Sequence, residues 1–287
     1  MSAPVEPARG VRRAGERGRG ALLVGAALVV ATAVVALVSF VWTPYDPTRV
    51  NPAAVLLPPG GRHLLGTDNF GIDVLSRLMV GAQTTLLVGV IAVGIAAVVG
   101  VPLGILTGMA GGWVSELVLR ATDVLYAFPA LLLAILLAAA FGASTWTAMA
   151  AIGIATIPAF ARVTRAGTLQ VMASDYVLAA RAAGTGRAAI AGRHVLPNVA
   201  PVIGIQASVA FGIALLAEAA LSYLGLATPP PTPTWGRMLR EAQTYLFIEP
   251  RLSLWPGLAI ALAVLGFNLL GDGLRDLLDP KLRERAR

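Results

Sequence analysis

Residues 124–161 carry no charged side chain, and neither do residues 199–217. A transmembrane helix needs about 20 mostly apolar residues to cross ~30 Å of hydrocarbon. The first run is therefore too long for one crossing and is read as two, with Gly142-Ala143-Ser144-Thr145 supplying the turn between them. Composition agrees: 57% of the chain is hydrophobic and 13% charged, against roughly 25% charged in a soluble domain. The fold class expected is an all-α integral membrane protein.

Six spans are expected, at 21–42, 84–109, 122–141, 146–166, 200–225 and 253–273. The first follows a basic tail, 1–20, and ends in Val41-Trp42-Thr43-Pro44. It is longer than the roughly 7–15-residue apolar core of a signal peptide and lacks a small-x-small cleavage site, so it is read as an uncleaved anchor. Basic residues set orientation, being enriched on the cytoplasmic side. With the N-terminus inside, sixteen of the 22 Lys and Arg fall on the inner segments and six on the outer ones. This puts both termini, including the 275–287 tail, and the polar stretch 168–198 in the cytoplasm.

Two outer segments are shaped by their sequence. In 43–83 a proline-punctuated stretch leads to Val74, Leu75, Leu78 and Met79 on one helical face, with Asp73 and Arg77 spaced as an i,i+4 pair. That predicts an amphipathic helix lying on the outer surface. In 227–251 the run Pro229-Pro230-Pro231-Thr232-Pro233 favours a stiff polyproline rod. Within the second span, Gly100, Gly104 and Gly108 form a small-xxx-small stripe suited to close helix packing, with Pro102 inside it.

Several chemistries are excluded. There is no cysteine, hence no disulfide or thiolate site. The two histidines, His63 and His194, have no metal-site spacing. The single lysine, Lys281, sits in Asp-Pro-Lys-Leu-Arg, and a phosphate-binding loop ends in Gly-Lys-Ser/Thr. No nucleotide site and no cofactor is expected in this chain, and any ATP-Mg must be bound by partner subunits. The +7 charge sits beside apolar spans, where topology accounts for it without nucleic acid.

Residues 175–198 form a basic island between two uncharged runs. Ala179, Ala180, Ala182 and Ala183 give a thin helix, Gly184 and Gly186 can end it with positive φ, and Pro197 is expected to impose an extended residue before the next span. Such a helix can be approached closely by a partner.

Four stretches together resemble the membrane subunit of an ABC importer of the dipeptide/oligopeptide/nickel type. They are His63-Leu64-Leu65-Gly66-Thr67-Asp68 with Gly71, Asp73, Ser76 and Arg77; the island; Glu218 to Leu226 with Pro230 to Gly236; and Trp255-Pro256-Gly257 with Phe267 to Asp276. The resemblance implies a type I ABC importer permease fold, with 84–274 as a five-helix core after the anchor. It implies a bacterial inner-membrane location and four kinds of partner: a second homologous permease, two ATP-binding cassette subunits, an extracytoplasmic substrate-binding protein docking on the outer segments, and the lipid bilayer. The family's loop pattern, Glu-Ala-Ala, three residues, Gly, nine residues, hydrophobic-x-Leu-Pro, falls on Ala179, Ala180, Gly184, Leu196 and Pro197, followed by Asn198. Leu178 stands where the pattern has glutamate, and His194 where it has an aliphatic residue. Tyr176, Arg181 and Ala183 complete the ATPase-docking set so implied. Ile72 and Gln83 also depart from arginines common in relatives.

Charged groups at membrane depth are costly and often functional. Glu218 is a candidate for lining the translocation path or for pairing with the partner permease. Asp123 is expected to face headgroups or pair with Arg120, and Asp272, Arg275, Asp276 and Asp279 to cap the last span. The competing classes are an ion-gradient-driven secondary transporter, which wants inverted repeats and several buried titratable groups, and an intramembrane enzyme, which wants a nucleophile and base or a metal cluster.

Overall fold

The computed structural model describes residues 8–278. The tail positions 279–287, with Asp279, Pro280 and Lys281, and the first seven residues of the basic tail lie outside the described residues. Among the described residues the long elements are all helical: α1 (Ala8–Ser39), α2 (Val74–Met109), α3 (Trp113–Ala127), α4 (Ala130–Phe141), α5 (Thr145–Met172), α6 (Asp175–Ala182), α7 (Arg187–Ile190), α8 (Leu196–Leu224), α9 (Trp235–Ala242) and α10 (Arg251–Leu278). Five of them are long and apolar enough to cross a membrane, or six if the bent pair α3–α4 is one span.

That pair corrects the third span. Residues 122–141 do not run straight: α3 and α4 meet at 86°. The cause is local, since Pro129 has no N–H to donate and disfavours a helical conformation at the residue before it. Phe128 is accordingly extended, at φ −79° and ψ 121°. The turn expected at 142–145 is present, with Ser144 capping α5 by accepting from the Thr147 amide at 3.1 Å.

The second span is also longer than the hydropathy suggested. No break separates 74–83 from 84–109, so the amphipathic surface helix expected there is instead the first turns of α2, with Val74 and Met79 buried in the protein. Helix α2 runs unbroken through Pro102. The glycine stripe packs within the chain: a Cβ at Gly104 would lie 2.6 Å from the Ala161 carbonyl oxygen and 2.6 Å from Thr164 Cβ, and one at Gly108 would lie 2.6 Å from Thr168 Cβ. Helices α2 and α5 thus touch backbone to backbone, the geometry that small residues allow.

Around this pair sits a core of small and branched residues, among them Val88, Ala92 and Ala96 of α2, Met149, Ile152 and Phe160 of α5, and Ala210, Ala214 and Leu221 of α8. A second core joins α10 to α1, α2, α8 and α9, centred on Leu215, Trp235, Ile260 and Ala263. There Phe211 and Phe267 stack at 4.0 Å between ring centres. The run 229–233 is not a rod: it turns, and the Pro230–Pro231 peptide bond is cis. Arg237 ties its two ends together, donating to the Thr228 carbonyl at 3.0 Å and the Thr232 carbonyl at 3.2 Å.

Candidate functional site

At one end of the bundle the island folds back on the helices that carry it. Its helix α6 ends as expected, with Gly184 at φ +81°, a conformation open to glycine. Val177, Ile190, Val195 and Val199 are buried together with Met172, and Ile105 and Met109 of α2 and Ile203 of α8 pack against them. The island therefore has its own apolar underside, seated on α2, α5 and α8.

The opposite face is open. Tyr176, Leu178, Ala179, Arg181, Ala183 and Gly184 are exposed, as are Leu196, Pro197 and Asn198, while Ala180 and His194 are half-buried. The structure brings the two arms of the loop together, with the Tyr176 and His194 rings 5.9 Å apart and the Asn198 amide donating to the His194 carbonyl at 2.7 Å. A Cβ at Gly184, Gly186 or Gly192 would meet no atom within 4 Å. The surface around these glycines is thus unfilled, with the exposed Tyr176, Leu178 and Leu196 beside it. Pro197 corrects one expectation. Leu196 before it is helical, at φ −55° and ψ −46°, and the chain enters α8 without an extended residue. A π-helical turn, Ala191–Val195, precedes it, and the Leu196 amide bonds back to the Ala191 carbonyl. That wider turn absorbs the missing proline donor.

Glu218 lies inside this chain and not on an open surface of it. Its side chain is fully buried inside this chain, 0% exposed, between α8 and α2. Ser222 donates to it at 2.6 Å and Thr85 at 3.4 Å. Thr85 on α2 supplies a polar contact that sequence alone could not assign. The Glu218→Gln variant keeps an acceptor for Ser222 and a donor for Thr85. Its uptake KM is expected to match that of the wild type in a transport assay, and a raised KM would return Glu218 to the substrate path.

The other ionic expectations are rearranged as well. Arg120 pairs with Glu116 at 2.7 Å, while Asp123 receives Arg162 of α5 at 2.8 Å. Arg162 also lies 4.0 Å over the Tyr126 ring. Asp272, Arg275 and Asp276 are exposed and cap nothing among the described residues.

At the far end of α2 an ion cluster holds the outer segment. Asp73 does not pair with Arg77. It caps α2, accepting from the Ser76 amide at 2.8 Å, and meets His63 Nδ1 at 3.0 Å. Arg77, 5% exposed, reaches Asp68 with one nitrogen and Glu241 of α9 with the other, the latter at 2.6 Å. Asp68 in turn accepts from the Phe70 and Ile72 amides, and Arg251 donates to the Leu56 and Leu57 carbonyls. One fork therefore joins the loop 51–73, α2 and α9. The sequence held no signal for it, since Arg77 and Glu241 are 164 residues apart.

A bundle of five or six apolar helices, with a polar island at one end and a tied loop at the other, has the build of a multi-pass membrane protein. The family model for the binding-protein-dependent transport system inner membrane component matches residues 100–284, and the chain belongs to that family as an ABC importer permease. It is 39% identical to the dipeptide transport system permease protein DppC of Alkalihalophilus pseudofirmus, over 91% of this chain and 86% of that one. It is 44% identical to the di/tripeptide transport system permease protein DppC of Pseudomonas aeruginosa, over 85% and 82%. It is 42% identical to the glutathione transport system permease protein GsiD of Pectobacterium atrosepticum, over 83% and 78%. The fold resembles an inward-facing structure of the MetNI methionine ABC transporter, with a TM-score of 0.55 at 17% identity, covering 73% of this chain and 96% of that one.

Proposed function

We propose that the chain forms half of a transmembrane pathway for short peptides and pairs with a second permease. ATP-binding cassette subunits dock on the island at the cytoplasmic end, and an extracytoplasmic binding protein delivers peptide to segments 43–73 and 227–251. The observation that carries the coupling half of this reading is the island's build, a buried apolar underside on α2, α5 and α8 beneath an exposed face that carries Ala179, Ala183 and Gly184. A partner that closes on ATP would move α6, and α6 would move those helices, so that the pathway rocks between inward and outward openings. The shift requires that the ATP-bound partner prefer one state. Peptide is favoured as the cargo because relatives of 39–44% identity are named for dipeptide, di/tripeptide and glutathione transport.

The test is reconstitution of the chain with its neighbouring permease, ATPases and binding protein in liposomes. Uptake of a labelled dipeptide should require both ATP and the binding protein. Uptake that follows an imposed ion gradient without ATP would instead establish the secondary-transporter reading.

A further inference from the structure

Beside the island, the ends of α2, α3 and α5 enclose an open cleft of about 380 Å³. Its cation is Arg165, which pairs with no carboxylate among the described residues and whose Nε is buried without a hydrogen-bond partner. Arg162, almost one turn earlier on α5, is by contrast neutralised by Asp123. Glu116 also lines the cleft, but its carboxylate is already held by Arg120. Gly111 and Gly112 bring no side chain to the space, and a Cβ at either would meet no atom within 4 Å. Leu119 and Leu169 form an apolar wall. Next to the cleft, Trp113 and Leu117 of α3 are 75% and 59% exposed.

An uncompensated guanidinium against an apolar wall is a mixed environment. A free anion would use only half of it. A phospholipid would use both halves, because its phosphate takes charge-assisted bonds from arginine and its glycerol and upper acyl carbons lie on leucine. The setting suits this occupant: tryptophan is enriched at headgroup depth, and the cytoplasmic leaflet, where the arginine count puts this end of the bundle, is the anionic one. We propose that the cleft holds a membrane phospholipid, with the phosphate on Arg165 and the apolar part on Leu119 and Leu169. Arg165 and Leu169 lie on the last turns of α5 before α6, so the lipid would brace the helix end that carries the island.

The experiment is native mass spectrometry of the assembled transporter titrated with phosphatidylglycerol, and separately with a diacylglycerol of the same chains. Phosphatidylglycerol should be retained and diacylglycerol should not. Arg165→Gln should weaken phosphatidylglycerol binding about tenfold, the loss of one strong charge-assisted contact; Arg165→Lys should keep most of it, and Arg162→Gln should leave it unchanged. If Arg165→Gln fails to assemble, Leu169→Glu serves instead, placing a carboxylate beside Arg165 at a position already 44% exposed, with the same tenfold weakening expected. Unchanged phosphatidylglycerol binding in Arg165→Gln, or in Leu169→Glu where that variant stands in for it, or equal retention of the two lipids, overturns the proposal. Inorganic phosphate alone raising the melting temperature as much as the lipid, in an Arg165-dependent manner, overturns the lipid assignment in favour of a free anion.

Discussion

Placing tryptophan at Ala183 should abolish ATP-driven uptake while the permease still reaches the membrane at the normal level. Ala183 is exposed at the end of α6, next to the positive-φ glycine, and touches none of the buried underside formed by Val177, Ile190 and Val195. Ala183 is the C-cap of α6, but it bonds the Ala179 carbonyl through its backbone N–H, which tryptophan keeps, and exposed substitutions usually change stability by only about ±0.5 kcal/mol, so the folded chain should tolerate the change. If a partner closes on Ala179, Ala183 and Gly184 as proposed, it will not, because overfilling a packed surface costs about 1–3 kcal/mol, or roughly 5- to 150-fold in affinity. Two measurements decide the matter: copurification of the ATPase chains with the permease, and ATP-dependent uptake in liposomes. Both should fall together by about tenfold or more. A variant that binds its ATPases and transports at the wild-type rate would remove the island from the docking surface. Leu178, exposed where the family pattern has glutamate, leaves shape rather than that charge to carry the contact.

The second large effect concerns the outer end. Arg77→Met should destabilise the protein by about 3–5 kcal/mol, the usual cost of removing one partner from a buried ion pair and leaving the other charge uncompensated. Asp68 is 5% exposed and would lose its guanidinium, as would Glu241 on α9. Arg237 lies 3.9 Å from Glu241 and replaces Arg77 only in part. Burial already pulls the Arg237 guanidinium below its ordinary pKa, a pull that Glu241 opposes and the neighbouring Arg77 and Arg240 reinforce. Arg77→Lys should recover only part of the loss, since one ammonium cannot span both carboxylates as the planar fork does. Thermal unfolding in detergent reads the stability change, and limited proteolysis within 51–73 reads its location. Melting within a degree of the wild type, with the loop equally protected, would show that the fork contributes nothing.

Charge, hydropathy and local stereochemistry were legible along the chain. The uncharged runs located five helices, but α1 and α2 begin well before the expected starts at 21 and 84, and α5 and α10 run on to Met172 and Leu278. Gly142 to Thr145 marked the turn into α5, and Gly184 marked the end of α6, since each depends on residues within a turn of itself. The Phe128-Pro129 break was equally local but was hidden by hydropathy, which counts apolar residues and is blind to a missing amide. The side-chain partners were not legible. Asp73 and Arg77 are spaced for a helical pair, yet Asp73 caps the helix and Arg77 turns to residues 9 and 164 positions away.

The sequence by itself determined that the chain is a bundle of membrane helices carrying a small-residue island, because these properties follow from the solvent and from neighbouring residues. Only the tertiary structure decided which charges are matched. Glu218 became a sealed contact because Thr85 packs against it, Arg77 became the tie of the loop 51–73 because α9 returns to meet it, and Arg165 has no carboxylate among the described residues while Asp123 faces Arg162. The energy of a charge at such depth depends on groups within a few ångströms, and those groups come from segments that only folding brings together.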